Sequence, residues 1–403
     1  MESGKNKAQF SIQQMGDRYT LSINGIFYDI NAITYGILSG IKNGDSYEKI
    51  AQTIGEEFDI ETTAKEVQYI IDKNISPLFL KEHSLNRNKT SAFWFKKEIL
   101  SYSQYKNIIK PIKFLFTPSL LWIFILPLLI FNVMVLFKLN NPAIEVQQCE
   151  TSLLSSGLAY LSLFFIMIFH ELGHAASSLK FGVKSKSIGF GFYSIFPVFF
   201  ADVTAIWSLS KEKRMIVNLA GIFIQSILGI FLFAAYYSSL ELHPNSMATQ
   251  TLYTIFVANA LTMLVNLFPF FKFDGYWCYS DFFNLSNLGR QSGNLLKYFA
   301  KTYLRLPIFL PENERKQLKT RNIPLIIYTL AKSTTNLFLL YLIYILMTRI
   351  IRSAANFSFQ NIDFSLCGIS DNIYNILIAY IIIRVIVKFT LRIVKTVKTY
   401  FSI

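Results

Sequence analysis

The stretch FFIMIFHELGHAAS, residues 164–177, sets His170, Glu171 and His174 inside an otherwise apolar run. Two histidines four residues apart share one helical face, where both imidazoles can grip a single metal ion. Zinc suits nitrogen ligands, and a catalytic zinc takes three protein ligands and keeps a further position open. Glu171, beside the first histidine, can take a proton from an attacking water and later deliver it to a leaving amine. That chemistry is peptide hydrolysis. The same pattern can arise by chance in a helix, but a carboxylate near mid-bilayer costs roughly 2.5–3.5 kcal/mol even on the lenient insertion scale. It therefore needs a partner or a purpose. A structural zinc would want a fourth ligand. The other histidines are His83, in the polar N-terminal part, and His243, expected on the far side; Cys278 is the thiol expected near the same face.

A third ligand is offered by Asp274 in NLFPFFKFDGYW, residues 266–277. It lies at the end of a later apolar segment, near the expected depth of HELGH. Gly275 is expected to permit a sharp turn that aims the carboxylate inward. Pro269 should end the helix. The Asn266 amide can donate to a substrate carbonyl or a developing oxyanion. Taken alone, Asp274 reads equally as a solvated span end.

The elements that must hold these groups are membrane helices. The chain has 403 residues, 52% hydrophobic and 16% charged, against about 25% charged in soluble domains. This is the composition of a polytopic α-helical membrane protein. About six transmembrane helices are expected, at 118–137, 153–179, 215–238, 252–271, 323–347 and 371–390, each near the ~20 residues a bilayer requires. Residues 187–207, broken by Gly189, Gly191 and Pro197, read as a re-entrant or interfacial hairpin. Such backbone must be buried in protein or line a wet cavity. The net charge of +14 flanks the apolar segments, as the positive-inside rule demands, and implies a lipid bilayer rather than nucleic acid as partner. Both termini fall in the cytoplasm on this pattern. Cys149, Cys278 and Cys367 lie too far apart to suggest a disulfide framework.

The first ~110 residues are polar and mixed rather than signal-like, and so read as a folded cytoplasmic module. Residues 17–30 read as a hairpin about Asn24-Gly25. Three helical patterns follow: Ile33, Ile37 and Ile41; Tyr47, Ile50, Ala51 and Ile54; and, after a Thr63–Glu66 capping box, Val67, Ile70 and Ile71. A small winged-helix-like α+β domain is expected over 10–83 and a basic juxtamembrane connector over 84–117, lying along the headgroups. The transmembrane domain would then cover 118–403, with its catalytic core at 153–280.

HELGH, followed by Asn266, Pro269, Asp274 and Gly275 in the pattern N-x-x-P-x-x-x-x-D-G, resembles the site-2 protease family of intramembrane zinc metalloproteases. The resemblance covers about residues 153–280. It implies that His170, His174 and Asp274 bind Zn2+, that Glu171 is the general base and that Asn266 helps hold substrate. It also implies that the 187–207 hairpin presents a strand edge to an unwound substrate, with Phe190, Phe192 and Tyr193 as wall residues. Each of those aromatics reads as well as an interfacial anchor. Asp202 reads as a turn cap or a substrate contact. The N-terminal domain resembles the PqqD-like domains that bind a leader peptide as an added strand.

Together these readings imply an intramembrane zinc endopeptidase in a bacterial cell membrane. It would cleave a precursor or leader peptide in the maturation of a ribosomally made peptide. The alternatives are proteolysis of a membrane-tethered regulator and a non-catalytic peptide-binding or export partner with the same fold. A transporter would need matching interrupted segments in two halves, which the sequence lacks. The partners implied are a peptide or membrane-associated protein substrate and the bilayer. No oligomeric state is implied.

Overall fold

The structure, a computed structural model, describes residues 10–15, 18–23, 26–76, 93–139, 149–193, 196–285, 287–303 and 322–355, with 380, 383, 384 and 387. Two compact units are distinguished, Met1–Leu121 with Glu171–Gly221 and Trp122–His170 with Ile222–Ile403.

The first unit opens with strands β1 (Phe10–Met15), β2 (Arg18–Ile23) and β3 (Ile26–Ile30), an antiparallel meander in that order. Ile23 opposes Ile26, which leaves two residues for the turn, as Asn24-Gly25 suggests; the turn itself lies outside the described residues. The sequence reading has two strands here, and β1 is a third. Its alternation is confined to Phe10 and Ile12, which pack against the core, before two glutamines interrupt it. Helices α1 (Ala32–Asn43), α2 (Tyr47–Phe58) and α3 (Ala64–Ile70) follow. Asn31 and Ser46 cap the first two by accepting from Thr34 and Lys49 backbone amides. Gly44, at φ 79°, ends α1 in the left-handed conformation. Leu21, Ile23, Ile37, Leu38, Ile50, Ile54 and Val67 form the core, while Tyr47 stays exposed.

The Thr63–Glu66 capping box is present, with the carboxylate accepting from the Thr63 amide at 2.9 Å. These hydrogen bonds hold the Glu66 carboxyl below its ordinary pKa. A depressed folded pKa contributes stability that is present above the unfolded carboxyl pKa and is lost as pH falls through the folded one. Glu66→Ala should therefore speed amide exchange in α3 at neutral pH and make progressively less difference at acidic pH, as the folded carboxyl takes up its proton. Hydrogen exchange at neutral and acidic pH checks this.

A second sheet in the same unit runs β4 (Phe93–Ser101), β5 (Ser187–Tyr193) and β6 (Phe196–Ala201), antiparallel and in that order. The hairpin read at 187–207 is β5 and β6. Strand β4 is new: a stretch of the basic segment pairs along β5 instead of standing apart from it. Gly189 is where this sheet is tightest. A Cβ there would come 2.3 Å from the Phe200 ring and 2.6 Å from the Lys97 carbonyl oxygen, so only glycine fits. Asp202 caps the turn after β6, accepting from the Thr204 amide at 3.2 Å and from its hydroxyl at 2.6 Å. Helix α4 (Tyr102–Ile112) continues from β4.

Among the described residues the remaining helices are α5 (Pro118–Lys138), α6 (Cys149–Lys180), α7 (Lys211–Leu242), α8 (Met247–Leu267), α9 (Asp274–Phe282), α10 (Leu288–Tyr303) and α11 (Ile323–Ala355). Five of them, α5 to α8 and α11, are long and apolar enough to cross a membrane. The chain is thus a polytopic helical membrane protein with a small N-terminal β/α region. The span read at 371–390 falls largely outside the described residues. Helix α7 has 32 residues, about 48 Å at 1.5 Å per residue, against a hydrocarbon core of roughly 30 Å. Its exposed basic residues at the start, Lys211 and Lys213, can thus reach the headgroups. It is also the most buried of the five, at 61% over its apolar window. Within the second unit, polar groups tie the helices across their interfaces. Asn132 donates to the Ser226 carbonyl at 3.0 Å, Asn259 to the Gln225 carbonyl at 3.1 Å and Thr251 to the Ser155 hydroxyl at 3.0 Å.

Candidate metal centre

Helix α6 carries His170, Glu171 and His174, all buried. The 3.6-residue period sets the two imidazoles one turn apart on one face. Asp274 arrives from α9. Helix α8 stops at Leu267 because Phe268 precedes Pro269, and a residue before proline is driven to extended backbone; Phe268 has φ −67° and ψ 126°. Six residues later the chain re-enters a helix with Asp274 in its first turn, where the helix dipole favours a carboxylate.

The reason for Gly275 differs from the one the sequence suggests. It is not among the positive-φ residues, so no left-handed turn requires it. A Cβ there would instead lie 2.0 Å from the Leu267 carbonyl oxygen and 3.1 Å from that of Asn266. Glycine lets the start of α9 press against the end of α8, and this places Asp274.

Asp274 Oδ2 lies 3.0 Å from His170 Nε2. One ligand atom each from His170, His174 and Asp274 falls within 4.8 Å of the others. Zinc bonds of roughly 2.0–2.2 Å would set tetrahedral ligand atoms about 3.3 Å apart, so the cluster needs only small closure to hold the ion. The far ring nitrogens are also engaged. His174 Nδ1 lies 2.7 Å from the Val217 carbonyl oxygen and His170 Nδ1 lies 2.9 Å from Gln225 Oε1. A carbonyl can only accept, so His174 carries its proton on Nδ1 and turns the Nε2 lone pair to the cluster. The donor set therefore fits zinc. It has three members among the described residues, and neither His243 nor Cys278 is one of them. His83 lies outside the described residues. Three ligands leave a coordination position open.

Asn266 is half-buried in the last turn of α8. Phe190 and Phe192 share one face of β5 and pack edge-on at 5.4 Å, with Phe199 of β6 at 5.3 Å from Phe190. The Tyr193 side chain lies outside the described residues. The sequence reading missed Gln225. The available signal was an amide in the middle of the apolar run AGIFIQSILG, residues 220–229, where a buried polar group needs a reason.

The pattern for peptidase family M50 matches residues 158–244, which include His170, Glu171, His174 and Gln225. The chain is also similar to the "Putative peptide zinc metalloprotease protein YydH" of Bacillus subtilis (strain 168). The two are 30% identical over 203 residues, 49% of this chain and 73% of that relative. No solved structure matches significantly. These likenesses and the His/His/Asp cluster mark a zinc-dependent metalloprotease acting on membrane-associated peptides or proteins. The chain belongs to peptidase family M50.

Proposed function

We propose that this protease matures a ribosomally made peptide by cutting a precursor or leader peptide delivered from the cytoplasmic side, where both termini lie. The observation that carries the reading is the 3.0 Å approach of Asp274 to His170, which joins two distant segments into one open, three-ligand cluster. His170, His174 and Asp274 would hold zinc. Zinc, when bound, supplies Lewis-acid polarisation of the scissile carbonyl and acidifies water. Glu171 accepts the proton of the attacking water and passes it to the leaving amine. Asn266 orients the peptide by donating to a backbone carbonyl. A helical peptide bond is shielded by its own hydrogen bonds, so the substrate must be extended before attack. The β4–β5–β6 sheet would serve that step by strand addition at an outer strand, since β5 is paired on both sides, with Phe190 and Phe192 as apolar wall on one face.

Support for a peptide substrate comes from two sources. The Bacillus subtilis relative is named a "Putative peptide zinc metalloprotease protein". The small domain at 10–83 carries a three-stranded meander whose outer strands can accept a further strand, as a leader-recognition domain requires. The segment 84–117 then connects it to the transmembrane domain, 118–403. The test is cleavage by full-length protein in detergent of two substrates: a short soluble precursor-like peptide, and a protein with its own single transmembrane helix. Cutting of the short peptide by wild type and not by Glu171→Ala is the expected result. Cutting of the helix-bearing protein alone would replace this reading with regulator release.

A further inference from the structure

The two histidines of the cluster are oriented by different kinds of partner. His174 leans on a backbone carbonyl, which no substitution removes. His170 leans on a side chain, and that side chain could in principle face either way. An amide offers oxygen on one edge and NH2 on the other, and only the oxygen edge forces the proton onto His170 Nδ1.

The neighbours of Gln225 settle which edge faces the histidine. Gln225 is fully buried. Its Nε2 lies 3.1 Å from Thr262 Oγ1. The Thr262 hydroxyl has one proton, and it points into its own helix, at the carbonyls of Ala258 (2.9 Å) and Asn259 (3.0 Å). With its proton committed there, the hydroxyl oxygen can only accept from Gln225. The amide must then present NH2 to Thr262 and Oε1 to His170, at 2.9 Å. The backbone of Gln225 is held in turn, its carbonyl accepting from Asn259 Nδ2 at 3.1 Å. The chain of donors runs one way, from His170 Nδ1–H to Gln225, from the Gln225 NH2 to Thr262, and from Thr262 to the α8 backbone. With the proton on Nδ1, the His170 Nε2 lone pair is available to a cation shared with Asp274 Oδ2, 3.0 Å away.

We infer that Gln225 is a positioning residue for the metal centre, fixing the tautomer and ring plane of His170, and that Thr262 fixes the orientation of Gln225. If the amide turned over, its NH2 would face Nδ1 and the proton would move to Nε2. That nitrogen could then donate to Asp274 and could not bind a metal. The pair Gln225–Thr262 excludes this arrangement. The inference rests on the assignment of His170 as a zinc ligand.

The experiment is zinc affinity of the full-length protein in detergent, measured by competition with a coloured chelator and no substrate. Gln225→Leu should bind zinc about 10–100-fold more weakly than wild type, the usual cost of losing the outer partner of a ligating histidine. Gln225→Glu, whose carboxylate still accepts from Nδ1–H, should restore affinity close to wild type. Thr262→Val, which keeps the volume and frees the amide to turn, should show a smaller loss. Equal weakening in the Leu and Glu variants would mean that Gln225 only packs, and would overturn the inference. So would wild-type affinity in Gln225→Leu, while leaving the zinc assignment standing. Should Gln225→Leu not fold, an unchanged affinity in Thr262→Val is decisive against it. Absence of zinc binding by wild type would remove the metal assignment and the inference together.

Discussion

Glu171→Ala retains zinc and loses peptide cleavage by roughly 10²–10⁴-fold, the range a positioned general base contributes. The prediction follows from the helix. Glu171 neighbours His170 on α6 but is not one of the three clustered ligands, so its removal should spare the metal and strip the proton transfer. Glu171→Gln keeps the shape and should lose activity to a similar degree. Cleavage assayed beside zinc content separates the two effects. A variant that cleaves at the wild-type rate would show that another group moves the proton.

Gly275→Val carries the second large effect, and it acts through backbone. The new Cβ would stand 2.0 Å from the Leu267 carbonyl oxygen. No side chain lies there to swing aside, so the end of α8 and the start of α9 must part. Asp274 moves with α9, away from a His170 nitrogen now 3.0 Å distant. Metal sites tolerate only about ±0.2 Å in bond length, so zinc and activity should disappear together. Gly275→Ala should do nearly as much, because the clash is with the first carbon of the side chain. The check is chelator competition with a thermal unfolding scan alongside. Zinc lost from a chain that still unfolds cooperatively is the expected pattern. Wild-type zinc binding in either variant would contradict the role given to the glycine.

How much of this was legible beforehand depends on the range of the forces. The metal set was readable because a histidine pair at helical spacing and an aspartate after a proline break are costly in apolar runs. The Thr63 capping box, and five of the six expected spans, are local patterns legible to within a few residues. Strand β4 was hidden because Lys96, Lys97 and Glu98 obscure its alternation; it is a strand only because β5 supplies the hydrogen bonds. The role of Gly275 was misread for a related cause, since a close approach between α8 and α9 leaves no mark in either helix alone. Gln225 was overlooked because its partners, His170 and Thr262, lie 55 and 37 residues away.

The most direct test is the zinc content of the purified protein, wild type beside Asp274→Ala and His174→Ala, under chelator-free conditions. About one zinc per chain in wild type, lost from both variants, is the result expected of one open site built from two distant segments. Zinc that survives Asp274→Ala unchanged, or a wild type that takes up none, would contradict the three-ligand centre and the hydrolytic chemistry assigned to it.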